Sequence, residues 1–210
     1  MCWSATADLA AGSVIAAAGV VCVARARRVR DLPLAALPLI LGVHQLIEAE
    51  VWHSGGGTGA ATTAWAVIAL PLLAVWVPLA VLCAAPRGAG ARLAVPVVAG
   101  LATAAVLAAS LADHPPVADI RGHTVGYGVD VPHGSLLIAG YLIATVGSLL
   151  ISADRVLRLL GVLTGAGAVI CAELWRLEFV STWCAFAAVV SVVMHAWVGR
   201  SAVRPAAPAG

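Results

Sequence analysis

Lysine does not occur in this chain: all twelve basic residues are arginines. Without a lysine amine no retinal Schiff base can form, so light-driven pumping on that chemistry is excluded. Charge of either sign is scarce. Only 10% of the 210 residues are charged, against roughly a quarter in a typical soluble domain, and 62% are apolar. That leaves too little polar surface to keep a folded domain in water, and lipid must cover the rest. The basic n-region of a cleavable signal peptide is missing ahead of the first apolar run. Arg25, Arg27, Arg28 and Arg30 follow that run instead, in the order of an uncleaved first helix with a basic stop. The chain has no C-x-x-C pair, no zinc-protease pattern of two histidines around a glutamate, and no glycine-rich nucleotide loop. No internal repeat stands out, which disfavours an inverted-repeat transporter.

What is present is a series of long apolar runs. A spanning helix needs about 20 largely apolar residues. Seven segments approach that length, near 4–24, 33–52, 62–84, 93–111, 134–152, 157–175 and 181–199. The expected fold is therefore all-α: a polytopic membrane protein with a seven-transmembrane-helix bundle. Arginine placement sets the expected orientation. With the N-terminus outside and the C-terminus cytoplasmic, ten arginines fall on the cytoplasmic side and only Arg121 and Arg176 outside. The same rule accounts for the dispersed basic residues, so no nucleic-acid surface is expected. Residues 112–133 form a long polar outer loop suited to fold over the bundle as a lid, and 200–210 read as a disordered tail. Pro71 and Pro78 lie seven residues apart in the third segment and should bend it. Gly161, Gly165 and Gly167 make a smooth stripe for helix packing.

Ionisable groups inside a bilayer are costly and face the bundle interior. The second segment reads His44-Gln45-Leu46-Ile47-Glu48-Ala49-Glu50-Val51-Trp52. His44 and Glu48 are four apart and share one helix face, with Glu48 about 6 Å further out. Asp8, Glu173, Trp175 and Trp183 reach similar depth on other segments, whereas His195 lies about 10 Å deeper. Three readings of the pair stand open. It pins helices by hydrogen bonds; it forms a metal site or acid/base pair, with imidazole and carboxylate suited to zinc, iron or manganese; or it lines a ligand or ion pathway. In an enzyme Glu48 is the base or a metal ligand, His44 a ligand, and Glu173 or Asp8 completes the shell, with His123 and His133 as further candidates. Gln45, Asp8, Trp175 and Trp183 are the expected ligand contacts, the indoles by π contact.

Seven tryptophans stand against two tyrosines and two phenylalanines. Trp3, Trp52 and Trp197 suit interfacial belts. Of the five cysteines, Cys2 and Cys184 fall on the outer side, where an oxidising compartment permits a disulfide if their Cα separation allows it. Free thiols are the default for small apolar fillers.

The opening Met1-Cys2-Trp3-Ser4-Ala5-Thr6-Ala7, with Leu34-Ala35-Ala36-Leu37-Pro38, His44-Gln45-Leu46-Ile47-Glu48 and Trp183-Cys184, resembles a family of uncharacterised bacterial integral membrane proteins whose openings read Met-Cys-aromatic-Ser-Ala. The resemblance spans nearly the whole chain. It implies a bacterial multi-pass inner-membrane protein and brings no established activity. In helix number the chain is also similar to the seven-helix ceramidase and adiponectin-receptor superfamily, which uses intramembrane zinc. Those proteins carry two histidines four residues apart in the seventh helix; here only His195 is present, so hydrolysis is not assigned. The functional expectation is an outward-facing polar pocket for a metal ion or small molecule, in an enzyme, a transporter or a receptor-like protein. The alternative is a structural hydrogen-bond cluster.

Overall fold

Ser4 starts the first helix: its backbone is extended and its hydroxyl accepts the Ala7 N–H at 3.2 Å, satisfying one of the donors a helix start leaves open. Helix α1 then runs Ala5–Arg25. The structure, a computed structural model, describes residues 4–86, 88–174 and 186–203. Short α2 (Leu32–Ala35) and long α3 (Leu37–His53) each carry a proline in the first turn, where the missing N–H has no partner to lose. Helices α4 (Ala60–Val67) and α5 (Leu73–Ala84) are joined by a π-turn over Ile68–Leu72 that contains Pro71. The widened turn absorbs the proline without breaking the rod. Helix α6 (Gly90–Asp113) follows. After it come the strands β1 (Val117–Arg121) and β2 (Thr124–Gly128). Helix α7 (Gly134–Leu142), a second π-turn (Ile143–Gly147) and α8 (Ser148–Leu150) form one bent rod. Helices α9 (Arg155–Leu174) and α10 (Ala187–Val203) complete the described chain.

The seven-span bundle expected from hydropathy is corrected here. Among the described residues four helices are long and apolar enough to cross a membrane: Ala5–Arg25, Val29–His53, Ala60–Ala84 and Gly90–Asp113. The fifth expected span is a shorter apolar helix, Gly134–Leu150, and the described part of the seventh is Ala188–Arg200. Seventeen residues rise only about 25 Å, less than a hydrocarbon core of about 30 Å. The sixth expected span, α9, opens on Arg155 and Arg158 and is not among the four. The orientation inferred above, N-terminus outside and C-terminus cytoplasmic, rested on seven alternating spans and loses that support. The all-α expectation also fails. Residues 117–128 form an antiparallel hairpin with Val117 opposite Gly128 and Arg121 opposite Thr124. Its two-residue turn starts at Gly122, whose φ of 61° suits the mirror-image turns that tight hairpins use. At the other end of the chain α10 is helical through Val203, so residues 200–203 are not tail.

The tightest packing lies between α1 and α3. A Cβ added to Gly12 would meet the Leu46 backbone, one on Gly19 the Leu39 backbone, and one on Gly42 the Ala16 backbone. The two helices thus run antiparallel, backbone against backbone, as small residues allow in membranes. Gly100 brings α6 equally close to Ala74 and Pro78 beside the first π-turn. Tyr141 ties the two bent rods by donating its hydroxyl to the Ala69 carbonyl at 2.6 Å. That carbonyl sits where the ladder slips, since the Leu73 N–H reaches Ile68 and Leu70 rather than Ala69. The largest apolar core joins Leu34, Val81, Leu149, Leu157, Leu160 and Met194. Outward, Val14, Val95, Val98, Leu136, Val162 and Val192 stand exposed on their helices. So many bare apolar side chains call for lipid as their solvent.

Candidate functional site

Helices α1 and α3 bury four polar side chains in the half of the molecule nearer the hairpin. Asp8 and Glu48 are 0% exposed, and His44 and Gln45 1%. Asp8 comes from the first turns of α1, and the antiparallel register sets it beside the last turns of α3. There the half-buried Trp52 donates its indole N–H to Asp8 Oδ2 at 2.9 Å. His44 and Glu48 occupy one face of α3, as their spacing requires. Glu50 is exposed.

An aromatic column closes the cluster. The His44 imidazole tilts at 36° against the Trp65 ring with centroids 5.0 Å apart. Trp65 is buried, and Tyr127 of β2 stacks on it at 3.4 Å and 5°. The Trp65 indole N–H meets no acceptor among the described residues. The hairpin therefore reaches the membrane-embedded histidine through two rings. It is anchored a second time at the loop after α3. Gly57 and Ala118 exchange backbone hydrogen bonds of 2.7 and 3.1 Å, and the Thr62 hydroxyl donates to the Gly57 carbonyl at 3.0 Å. Gly55, Gly56 and Gly57 all have positive φ, a conformation that other residues adopt only under strain.

Of the residues singled out in the sequence, the fold brings Asp8, His44, Gln45 and Glu48 into one buried region. Glu173 lies on α9, but its side chain is outside the described residues, as are Trp175, Trp183, Cys2 and Cys184. The Cys2–Cys184 pairing falls there too; Cys22, Cys83 and Cys171 are free thiols. His123 and His133 are exposed, away from the buried donors. His195 is at the opposite end, where its Nε2 accepts from the Arg25 guanidinium at 3.1 Å. Among the described residues no three His, Cys, Asp or Glu side chains gather as a metal shell. Trp52, Trp65 and Tyr127 were not picked out as parts of the site. Trp52 and Asp8 sit at matching depths on neighbouring helices, which was the available signal. Tyr127 had the alternation Val125, Tyr127, Val129 after a Gly-His turn.

Four long apolar helices, an apolar exterior and polar side chains hidden between helices define a largely helical, polytopic membrane protein. The chain belongs to a family of unknown function, DUF6629, whose profile matches residues 1–209. No curated protein matches it, and neither does any solved structure.

Proposed function

We propose that this membrane protein binds one small cation, a divalent transition metal such as zinc, iron or manganese, between His44 and Glu48 beneath the hairpin. The observation that carries this reading is the burial of Asp8, His44, Gln45 and Glu48, each at 0 or 1% exposure, within membrane-spanning helices. Ionisable groups at such depth are expensive unless they serve a ligand or one another. Side chains so fully enclosed suit an atom-sized occupant better than an organic molecule. One imidazole and one carboxylate are fitting donors for these metals. Only two such donors lie on one face, so the remaining positions go to water or to Gln45. That suits an exchangeable or catalytic ion more than a closed structural one. The enzyme reading also calls on Glu173 as a further ligand or acid. The hairpin serves as the cover, with Tyr127 on Trp65 as its latch.

Elemental analysis of the protein, purified in lipid without chelators and then reloaded, tests this. The expected result is about one transition metal per chain, lost in His44→Ala and in Glu48→Gln. Absence of metal from the folded, reloaded protein would overturn the proposal. One specific contact, the Trp52–Asp8 hydrogen bond, favours the second reading, in which the cluster pins α1 to α3 and binds nothing. On that reading both variants lose thermal stability and the wild type holds no metal.

A further inference from the structure

The end of the molecule opposite the hairpin holds a cavity of about 420 Å³. Arg28, Arg30, Arg155 and Arg200 line it, against two carboxylates, Asp31 and Asp154. Asp154 is already engaged: its Oδ1 accepts the Val156 N–H at 2.8 Å and so caps the start of α9. Among the described residues none of the four guanidinium groups is in an ion pair. Helix α9, 20 residues long, begins at this cavity and turns the positive end of its dipole toward it.

Basic residues at the membrane face follow from the rule for arginine placement alone, but that rule requires no cavity. A second observation points to a ligand. Trp197 forms part of the wall and is 4% exposed, yet its indole N–H meets no acceptor among the described residues. Buried donors without acceptors are rare in folded proteins and call for an explanation. An anion with several oxygens would neutralise the guanidinium groups, and a small turn of the Trp197 indole, whose N–H has no open surface in this structure, would bring that N–H to one of the oxygens. The inner wall is apolar, with Val81 and Leu157, and it continues into the main core. The site thus lies where the spans end, at the level of lipid headgroups, with charge on one side and hydrocarbon on the other.

We propose that this cavity binds the phosphate group of an anionic phospholipid, with Arg28, Arg155 and Arg200 as the charged contacts and the Trp197 N–H as the buried donor. Arginine pockets between helices at a membrane face recognise lipid phosphates in this way. The site shares no residue with the His44–Glu48 cluster and stands or falls separately from the cation reading.

The test uses the full-length protein in neutral detergent micelles, with bound lipid counted by native mass spectrometry. Three probes are titrated: phosphatidylglycerol, phosphatidylcholine and inorganic phosphate. Phosphatidylglycerol should bind saturably at one site, more tightly than phosphatidylcholine. Each of Arg155→Gln and Arg200→Gln, at exposed positions that folding tolerates, should weaken it about fivefold. Trp197→Phe removes the donor but keeps an aromatic ring, and should weaken it as well. Arg121→Gln, on the hairpin at the far end, should leave it unchanged. Equal binding of the two lipids, or equal loss in Arg121→Gln and Arg155→Gln, would overturn the proposal by reducing it to diffuse surface attraction. Binding of inorganic phosphate without phosphatidylglycerol would overturn it in favour of a soluble anion.

Discussion

Trp52 looks like an interfacial residue in the sequence, and its structural role is more specific: it supplies a hydrogen-bond donor to a carboxylate with no solvent exposure. Trp52→Phe keeps the ring and removes that donor. The loss should lower stability by about 1 kcal/mol, the net worth of one hydrogen bond where the carboxylate keeps other contacts. Thermal unfolding in detergent would read it, and an unchanged midpoint would mean that Asp8 is held by its other contacts alone. His44 and Glu48 were legible from their spacing and depth, because helical period and rise are properties of the chain itself. The pairing of Asp8 with Trp52 was not. It depends on the α1–α3 register, which Gly12, Gly19 and Gly42 set by backbone contact. The stripe read from the sequence, at Gly161, Gly165 and Gly167, lies in α9, where Gly161 meets Leu149 and Leu150 and Gly167 meets the Phe186 ring.

At the scale of elements, the hairpin is the feature that hydropathy concealed. Three prolines and several charged residues between 112 and 133 argue for irregular chain, and strand alternation covers only ten residues, Val117–Arg121 and Thr124–Gly128. The pairing is settled by tertiary contacts, the Gly57–Ala118 bonds and the Trp65–Tyr127 stack, which a local pattern does not encode. Tyr127→Ala should remove an aromatic contact of about 0.5–1.5 kcal/mol beyond lost burial. Limited proteolysis is expected to cut the hairpin faster in this variant, with the helices still protected. Cleavage no faster than in the wild type would mean that the Gly57–Ala118 bonds alone hold the hairpin down. The π-turns were legible only as prolines: Pro71 announced a distortion, but Ile143–Gly147 contains no proline and gave no such notice.

For the whole molecule, apolar segments were legible and their reach was not. Composition places seven runs in lipid, but the chain bends at 143–147 and turns after Leu150, so length is lost to geometry that hydropathy ignores. The four long spans set the hairpin and the arginine-lined cavity at opposite ends. Single cysteines at Gly59, His123 and Arg27, introduced into a chain stripped of its own five, would test this arrangement. An impermeant maleimide applied to sealed vesicles should treat Gly59→Cys and His123→Cys alike and Arg27→Cys oppositely. If all three label from one face, the four-span arrangement is wrong.

The seam between α1 and α3 also limits how this molecule can move. Side chains form a soft layer along which helices slide; peptide planes in direct contact do not. The first two spans are therefore held in one register, with Asp8 beside Trp52. Opening of the polar core falls to its other wall, where two stacked rings and a pair of backbone bonds hold the hairpin in place. On the cation reading proposed above, an ion bound for the histidine would pass that wall, and loosening the ring stack should speed its uptake.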